Sequence, residues 1–407
     1  MRWVRFIILA GLAQATCGLS GCALDPKLQK WESDFYYTER LYIDGQHALA
    51  AQRFEKLRAQ AKDPRDADEA ALMVCEVQSR GGKPLEAAAC YDHLATSAYD
   101  RPVRMRALLH AAELRYYELN RVADALVLWT KLLERAPDEP ATLRALDHVY
   151  LHGETDRSKR LATIALFERM EHADPRSELA DNLLLRQAML LDLEGTPDGW
   201  QKAVAVLERQ ERDHAADATF VDCLMLRSRV YRKLGNLKME ARDLERLVDT
   251  FETSYVFASY SVDEHKTASA RLIELYRGPL LNLPRAELHA RNLPAMLRRP
   301  VYMPRYLVTL AEVQEARGQR VTALGTYRDV LSFVTTRNQD YRENDRRICR
   351  ELPTDGEQHA CRQTVDAMSD VEPKECNVAR ERIARLQDEM RRPQLDQPSV
   401  RRPGGTP

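Results

Sequence analysis

The chain has 407 residues, of which 30% are charged, and 61 basic side chains nearly balance 62 acidic ones. Both charge signs mix along the sequence without a basic stripe of interleaved aromatics, which argues against nucleic acid as a partner. The sequence has no Gly-x-Ser-x-Gly elbow, P-loop, dinucleotide fingerprint or paired metal motif. We therefore expect no enzyme activity, no cofactor and no bound metal.

Residues 1–21 have the order of an export signal. Arg2 and Arg5 give a short positive region. An apolar stretch from Phe6 to Leu12 follows, and it is too short to span a membrane as a stable helix. We predict a targeting segment that is removed from the mature chain.

The segment Leu19-Ser20-Gly21-Cys22 resembles the lipobox of bacterial lipoproteins. The resemblance implies cleavage between Gly21 and Cys22, followed by lipid attachment to Cys22. Cys17, after Gln-Ala-Thr, fits that pattern poorly. Two or more acyl chains hold a protein stably on a membrane. Ala23 follows the modified cysteine, and the sorting pattern of such lipoproteins then implies the outer membrane, with the chain facing the periplasm.

Two alternatives to the lipoprotein stay open at this stage. Cleavage after Ala15 would release a secreted protein, and an uncleaved leader would act as an anchor. In the lipoprotein reading, residues 22–30 form a short lipidated tether.

Residues 105–137 set the pattern that the rest of the chain repeats. Apolar side chains at helical spacing predict two antiparallel helices joined by a turn at Asn120-Arg121. The second helix carries Ala125 and Trp129 and stops before Pro137. We expect Ala125 to lie where the two helices approach closely and Trp129 to fill the gap to the next pair.

The same spacing of a small residue, an aromatic four positions on and an aliphatic three further recurs along the chain. The clear copies are Ala50 with Phe54, Ala87 with Tyr91, Ala125 with Trp129, and Ala323 with Tyr327. Weaker copies begin at Thr163 (with Phe167), Ala203 and Glu240, and the last follows the turn signal Gly235-Asn236. The first six anchors are separated by 37, 38, 38, 40 and 37 residues. A period this steady indicates a solenoid.

This pattern resembles the tetratricopeptide repeat (TPR), a helix-turn-helix unit of about 34 residues. The shared features are a turn glycine, a small residue that starts the second helix, the aromatic and a closing proline. The resemblance implies an all-α, TPR-like right-handed α-solenoid of stacked antiparallel helix pairs, about seven to eight over residues 31–335. The match is poor over residues 255–300, where prolines interrupt the helices. An irregular helical bundle is the alternative.

Three further segments follow the predicted repeats. Residues 336–376 are polar and contain three cysteines. Residues 377–392 carry apolar side chains on one helix face and are predicted to cap the last repeat. Residues 393–407 are rich in proline and arginine and are predicted to be disordered.

The cysteines of an exported protein meet oxidising conditions, which favour disulfides. Six remain after the signal and lipid site are set aside: Cys75, Cys90, Cys223, Cys349, Cys361 and Cys376. Cys75 and Cys90 fall on the two helices of one pair, either bridged or as separate thiols. In the tail we predict a bridge from Cys361 to Cys349 or to Cys376. Close Cys-x-x-Cys pairs, the usual mark of a zinc module, are absent from the sequence.

His148 and His152 are spaced to share one helix face. The zinc metalloprotease signature also needs a glutamate after the first histidine, and Val149 stands there. We therefore do not assign these histidines as ligands.

The expected function follows from the predicted fold and location. A lipid-anchored periplasmic solenoid without catalytic motifs predicts a scaffold or adaptor that binds proteins or peptides of the cell envelope. The resemblance does not choose among the envelope machines that such proteins serve. An accessory or weakly marked enzyme acting on the cell wall is one alternative, and a purely structural spacer is another.

Overall fold

The computed structural model describes residues 26–216, 219–253, 259–295, 302–367 and 372–391. The described residues form eighteen helices and no strand. The first nine are α1 (Pro26–Ile43), α2 (His47–Gln60), α3 (Pro64–Arg80), α4 (Pro84–Ser97), α5 (Arg101–Tyr117), α6 (Val122–Arg135), α7 (Pro140–Glu154), α8 (Arg157–Ala173) and α9 (Ala180–Leu193). The others are α10 (Pro197–His214), α11 (Phe220–Lys233), α12 (Leu237–Thr253), α13 (Ser259–Arg277), α14 (Leu283–Ala295), α15 (Met303–Ala316), α16 (Arg320–Arg350), α17 (Asp355–Ala367) and α18 (Lys374–Arg391).

The chain divides into two compact units, Met1–Gly199 and Trp200–Pro407. Through α16, each odd-numbered helix is helix A of a pair and the following even-numbered helix is helix B. From α1 to α9 in unit 1, and from α11 to α16 in unit 2, every helix packs against the next one. Neither helix of a pair can bury its apolar face alone, so neighbouring pairs stack. This confirms the predicted all-α, TPR-like arrangement of helix pairs.

The turn between helices A and B has a recurring backbone conformation. Six pairs place a residue with positive φ five positions before the anchor residue of helix B. These residues are Gly45, Gly82, Asn120, Gly235, Leu281 and Gly318. Glycine reaches this left-handed conformation without a steric cost. The structure shows that Asn120 and Leu281 occupy the same turn position without being glycine.

Two glycines of unit 2 allow a matched test of this turn. Gly235 has φ +71° and Gly325 lies on an exposed position of α16, and a Cβ added at either would meet nothing within 4 Å. Gly235→Ala should therefore lower the free energy of unfolding by about 1–2 kcal/mol through backbone strain alone. Gly325→Ala should stabilise by about 0.5–1 kcal/mol because alanine is the better helix former. Denaturant unfolding of both variants measures the two effects. A change of the free energy of unfolding in the same direction for both variants would contradict the turn geometry.

The anchor residues lie in the interior of the helix pairs. The alanines Ala50, Ala87, Ala125, Ala203 and Ala323 are fully buried. The aromatic side chains Phe54, Tyr91, Trp129, Phe167 and Tyr327 are also buried. Small and large side chains therefore alternate along helix B, where a neighbouring helix approaches the small residue and packs around the large one.

The segment with interrupting prolines forms the seventh pair, α13 and α14. Ala286, Ala290 and Leu293 of α14 are buried in the same cluster as residues of α12 and α13. Pro284 is the second residue of α14 and Pro304 the second of α15. The first turn of a helix tolerates proline because its N–H groups have no partner within the helix.

The structure differs from the sequence prediction at two boundaries. Helix α1 begins at Pro26, so the predicted tether of residues 22–30 is already helical in its second half. Helix α16 runs on to Arg350, well into the segment that was predicted to be only polar. Arginine and glutamate are good helix formers, and neither glycine nor proline occurs between Thr335 and Arg350.

Helix α18 packs against α15 and α16, and its Ala379 and Leu386 are buried there. The signal segment with Gly21 and Cys22 and the tail at 393–407 lie outside the described residues. Within the described residues, no helix is long and apolar enough to cross a membrane.

Four of the six cysteines form disulfides. Cys75 bonds to Cys90 between α3 and α4, and Cys349 bonds to Cys361 between α16 and α17. Cys376 is a buried free thiol, so the alternative bridge from Cys361 to Cys376 is not formed. The first bridge joins the two helices of one repeat, and the second holds α17 to the extension of α16.

Candidate protein-binding face

Helices A line one face of unit 1. Besides its neighbours in sequence, α3 contacts α5, α5 contacts α7, and α7 contacts α9. Side chains on these helices therefore meet across repeats although they are 30 or more positions apart in sequence. A set of such side chains runs over α1, α3, α5 and α7, and we call it the A-helix belt. It also includes Tyr91 of the helix B α4, whose ring lies 5.4 Å from the ring of His110 and so joins the two halves of the set. Its members are Tyr42, Glu76, Tyr91, His110, Glu113, Tyr117, Arg144 and His148.

Glu76 is the first carboxylate of the belt. Tyr42 donates a hydrogen bond to its Oε1 at 3.0 Å, and Tyr91 donates to its Oε2 at 2.7 Å. Burial would raise the pKa of Glu76, but the hydrogen bond from Tyr91, together with His110, Tyr42 and Arg80, lowers that pKa below its ordinary value. Glu76 is therefore ionised at neutral pH and joins α1, α3 and α4.

Glu113 is the second carboxylate. His110 Nδ1 lies 3.0 Å from Oε2, His148 Nε2 lies 3.0 Å from Oε1, and Arg144 donates to Oε1 at 2.7 Å. Burial would raise the pKa of Glu113, but the hydrogen bonds from His110 and His148 lower it to about 2. An ionised carboxylate only accepts hydrogen bonds, so both imidazole nitrogens that face it carry a proton.

The second nitrogen of His148 extends the belt to the surface. Its Nδ1 lies 3.0 Å from the hydroxyl of Tyr117. When the ring is neutral and its proton points to Glu113, this nitrogen accepts a hydrogen bond from the Tyr117 hydroxyl. Tyr117 and Arg144 are both exposed, with 61% of Tyr117 accessible. The belt thus presents a phenol and a guanidinium to solvent, and the half-buried His148 and Glu113 hold them in place.

Aromatic rings pack against these polar groups on the interior side of the repeats. Trp129 is fully buried and stacks on His148 with 4.7 Å between ring centroids. Tyr116 packs against Trp129 at 5.2 Å and edge-on to His152 at 6.1 Å. His148 and His152 therefore do share a helix face, where they serve packing and hydrogen bonding. In the part of the chain that the structure describes, no three His, Cys, Asp or Glu side chains are placed to hold a metal ion.

The order Tyr117–His148–Glu113 resembles the hydroxyl, imidazole and carboxylate of a nucleophilic triad. Catalysis by such a set needs an activated nucleophile. Here burial, with Tyr116 and Glu113, raises the pKa of Tyr117 above its ordinary value. The phenol is therefore protonated at neutral pH and can donate a hydrogen bond.

Unit 2 carries buried ion pairs. Glu240 stands at the position that alanine holds in other repeats, and it is fully buried. Arg232 donates to its Oε1 at 2.6 Å, and Arg271 donates to the same oxygen at 2.8 Å. The departure from the repeat pattern at Glu240 therefore links α11, α12 and α13 through charge.

A polar cleft also lies in unit 2. It has a volume of about 160 Å³ and is lined by Arg277, Glu312, Glu315, Ala316 and Arg382. Small-molecule sites usually have volumes of about 300–1,000 Å³. The cleft is smaller than that and its charges already pair with each other, as in the 2.6 Å contact of Arg277 with Glu312.

The sequence prediction did not identify the belt. It named the buried anchors Tyr91 and Trp129 for packing only, and it passed over Glu113. The available signal was local: His110 and Glu113 are three positions apart on one helix, a spacing at which side chains meet. The contacts to Arg144 and His148 depend on repeat stacking and carry no local signal.

No protein-family model and no curated protein matches the chain. Solved structures do match. A tetratricopeptide repeat protein from Parabacteroides merdae ATCC 43184 aligns at 15% identity and TM-score 0.31, over 71% of this chain and 98% of that chain. The Naa15/Naa10 structure bound to HypK-THB aligns at 15% identity and TM-score 0.38, over 87% of this chain and 54% of that chain. The P58(IPK) TPR domain aligns at 14% identity and TM-score 0.23, over 89% of this chain and 99% of that chain.

The chain has a TPR-like fold. Consecutive pairs stack within each unit, a positive-φ residue recurs five positions before the anchor, and the anchors are buried.

Proposed function

We propose that this protein is an outer-membrane lipoprotein whose periplasmic helix pairs act as a protein-binding scaffold of a cell-envelope assembly. The observation that carries the binding role is the A-helix belt of unit 1. Its polar groups are ordered by half-buried carboxylates, and its outer members Tyr117 and Arg144 reach solvent. Aromatic and arginine side chains of this kind are enriched among the residues that dominate protein–protein binding energy.

The belt suits an extended or helical peptide better than a small molecule. A peptide offers backbone and side-chain hydrogen-bonding groups along its whole length, and the belt extends over five helices with a phenol and a guanidinium at its surface. Because Glu113 already fixes Arg144 and His148, little side-chain freedom is lost when a partner binds. An adaptor role follows from the belt without any catalytic step.

Photo-crosslinking in the native envelope tests this face. A benzoylphenylalanine placed at Tyr117 should form an adduct of one defined mass with an envelope protein. The matched control is Val127, which lies on helix B of the same pair and is equally exposed. Arg144→Glu should abolish the adduct at position 117, whereas Arg135→Glu, the same charge change on helix B, should leave it intact. Equal adducts at 117 and 127 would contradict a binding site on the belt.

The anchor is tested by metabolic labelling with a fatty-acid analogue. The support for it is the order of a positive region, an apolar stretch and the segment Leu19–Cys22. The label should enter the natural protein and be lost in Cys22→Ala. Cys17→Ala should keep the label, because Cys17 lies in the segment that is cleaved off. Persistent labelling of Cys22→Ala would refute the lipoprotein assignment.

A further inference from the structure

The distance between the proposed lipid site and the first helix is very short. If Cys22 carries the lipid, as proposed above, only Ala23, Leu24 and Asp25 separate it from Pro26, where α1 begins. A fully extended chain spans at most about 3.3–3.6 Å per residue, so the start of α1 lies within about 14 Å of the modified cysteine. The first helix pair is therefore held next to the bilayer whatever conformation the three residues take.

Helix α1 has an exposed stripe along its length. Ser33, Tyr36, Arg40 and Ile43 are separated by three or four positions and are all exposed. Residues at this spacing lie on one side of a helix. From Ser33 to Ile43 the stripe extends over about 15 Å at 1.5 Å per residue, so it can contact a flat surface over nearly three turns of the helix.

The opposite side of α1 packs into unit 1. Phe35 and Leu41 are buried in one cluster with Phe54 and Leu57 of α2. The Trp31 indole donates a hydrogen bond to the carbonyl oxygen of Leu57 at 3.1 Å. The two sides of α1 are thus distinct, and the side that carries Tyr36 and Ile43 is not needed for the contact with α2.

The exposed side of α1 includes large apolar side chains although α1 belongs to the first helix pair. Terminal repeats normally have a polar outer face, which keeps the stack soluble. Here Tyr36 is 57% exposed and Ile43 is 73% exposed, and Tyr37 and Leu49 nearby are also exposed. Arg53 of α2 lies over the Tyr37 ring at 4.8 Å and adds a positive charge beside it.

This combination is typical of a surface that lies in a membrane interface. Tyrosine is enriched there because its ring is apolar while its hydroxyl hydrogen-bonds to headgroups and water. Arginine can place its aliphatic stem along the apolar region and its charge among the phosphates. Arg40 and Arg53 lie beside Tyr36, Tyr37 and Ile43, where their charges can reach the lipid phosphates.

We propose that the outer side of α1, with Tyr36, Tyr37 and Ile43, lies on the bilayer surface that holds the lipid anchor. The inference rests on the proposed lipidation of Cys22. It assigns the occupant of this exposed side as phospholipid. It also gives the anchor a second role, since one lipid-bearing residue alone leaves a protein free to rotate, whereas a contacting helix fixes its orientation.

The test uses the full-length lipidated protein in vesicles of phosphatidylethanolamine and phosphatidylglycerol. Benzoylphenylalanine at position 36 should form phospholipid adducts at least fivefold more often than at position 99. Tyr99 is the matched control because it is an exposed tyrosine of the same unit, on the loop between α4 and α5. Equal or absent adducts at position 36, with fatty-acid label present on Cys22, would overturn the contact and leave the lipoprotein assignment standing. Absence of that label would instead refute the proposed anchor, and the contact with it.

A second measurement does not depend on a crosslinker. Vesicles should slow hydrogen exchange in α1 of the lipidated protein, and Tyr36→Ser with Ile43→Ser should remove that protection. Both side chains are exposed, so the double variant is expected to fold normally. Tyr99→Ser should keep the vesicle-dependent protection of α1. Protection that survives in the double variant would overturn the proposed contact.

Discussion

Trp129→Ala is expected to lower the free energy of unfolding by about 3–5 kcal/mol, the range for removal of a large buried aromatic side chain. Trp129 is fully buried, stacks on His148 and packs against Tyr116. Its Nε1 has no hydrogen-bond acceptor among the described residues, so the loss comes from packing alone. The indole joins α5, α6 and α7, and its removal leaves a cavity between two repeats.

Urea unfolding of the full chain measures this loss. Trp129→Phe is the control because it keeps an aromatic ring for His148 to stack on, and it should lose less than Trp129→Ala. The alanine variant should also weaken the belt, since His148 is held between Trp129 and Glu113. A cost below about 1 kcal/mol for Trp129→Ala would show that the indole does not fill the space between repeats.

Arg227→Met is expected to cost a similar amount in unit 2, for an electrostatic reason. Arg227 and Asp243 are both buried, and the guanidinium donates to the two carboxylate oxygens at 2.7 and 2.8 Å. Arg227 also lies 2.5 Å from Glu211. Removing one partner of a buried pair leaves an uncompensated charge, which typically costs about 3–5 kcal/mol.

The double variant Arg227→Met with Asp243→Leu separates the charge effect from the loss of packing. With both charges gone, the apolar replacements should recover most of the loss, because a buried ion pair and a packed apolar pair have similar net stabilities. Denaturant unfolding of the two single variants and the double variant gives the coupling energy. If the double variant lost as much free energy of unfolding as the two single variants together, the result would contradict a buried, interacting pair of Arg227 and Asp243. Arg246, which also contacts Glu211, stays in place in all three variants.

The repeat architecture was predictable because its signal is local and periodic. Ala125 and Trp129 lie on one helix, and the same spacing returned every 37 to 40 residues. Turn residues at a constant offset reinforced the pattern at Gly45, Gly82 and Gly318. Asn120 and Leu281 adopt the same positive φ without glycine, and composition alone could not identify Leu281 as a turn residue.

The belt could not be predicted in the same way. Glu76 contacts Tyr42 34 positions away, and Glu113 contacts Arg144 31 positions away. Such pairs depend on how helices A stack, and each residue alone resembles a solvated charge on a helix face. Glu240 is a similar case, because a glutamate at an alanine position looks like a weak repeat until its arginine partners are located.

The cysteine pairs were only partly accessible from the sequence. The sequence spacing is compatible with a bridge from Cys361 to either Cys349 or Cys376, and it does not distinguish the two. The continuation of α16 to Arg350 decides the geometry, since it places Cys349 at the helix end next to α17. The sequence prediction ended the helical region earlier because the extension has no continuous apolar stripe.

The most direct test of the repeat architecture is hydrogen exchange on Trp129→Ala compared with the natural chain. Repeats couple mainly through neighbouring interfaces, so the loss of one core side chain should act locally. Protection should fall first in residues 105–173, while residues 303–334 around Ala323 should keep theirs. Uniform loss of protection across residues 26–350 would show a single cooperative core and would contradict the stacked-repeat description.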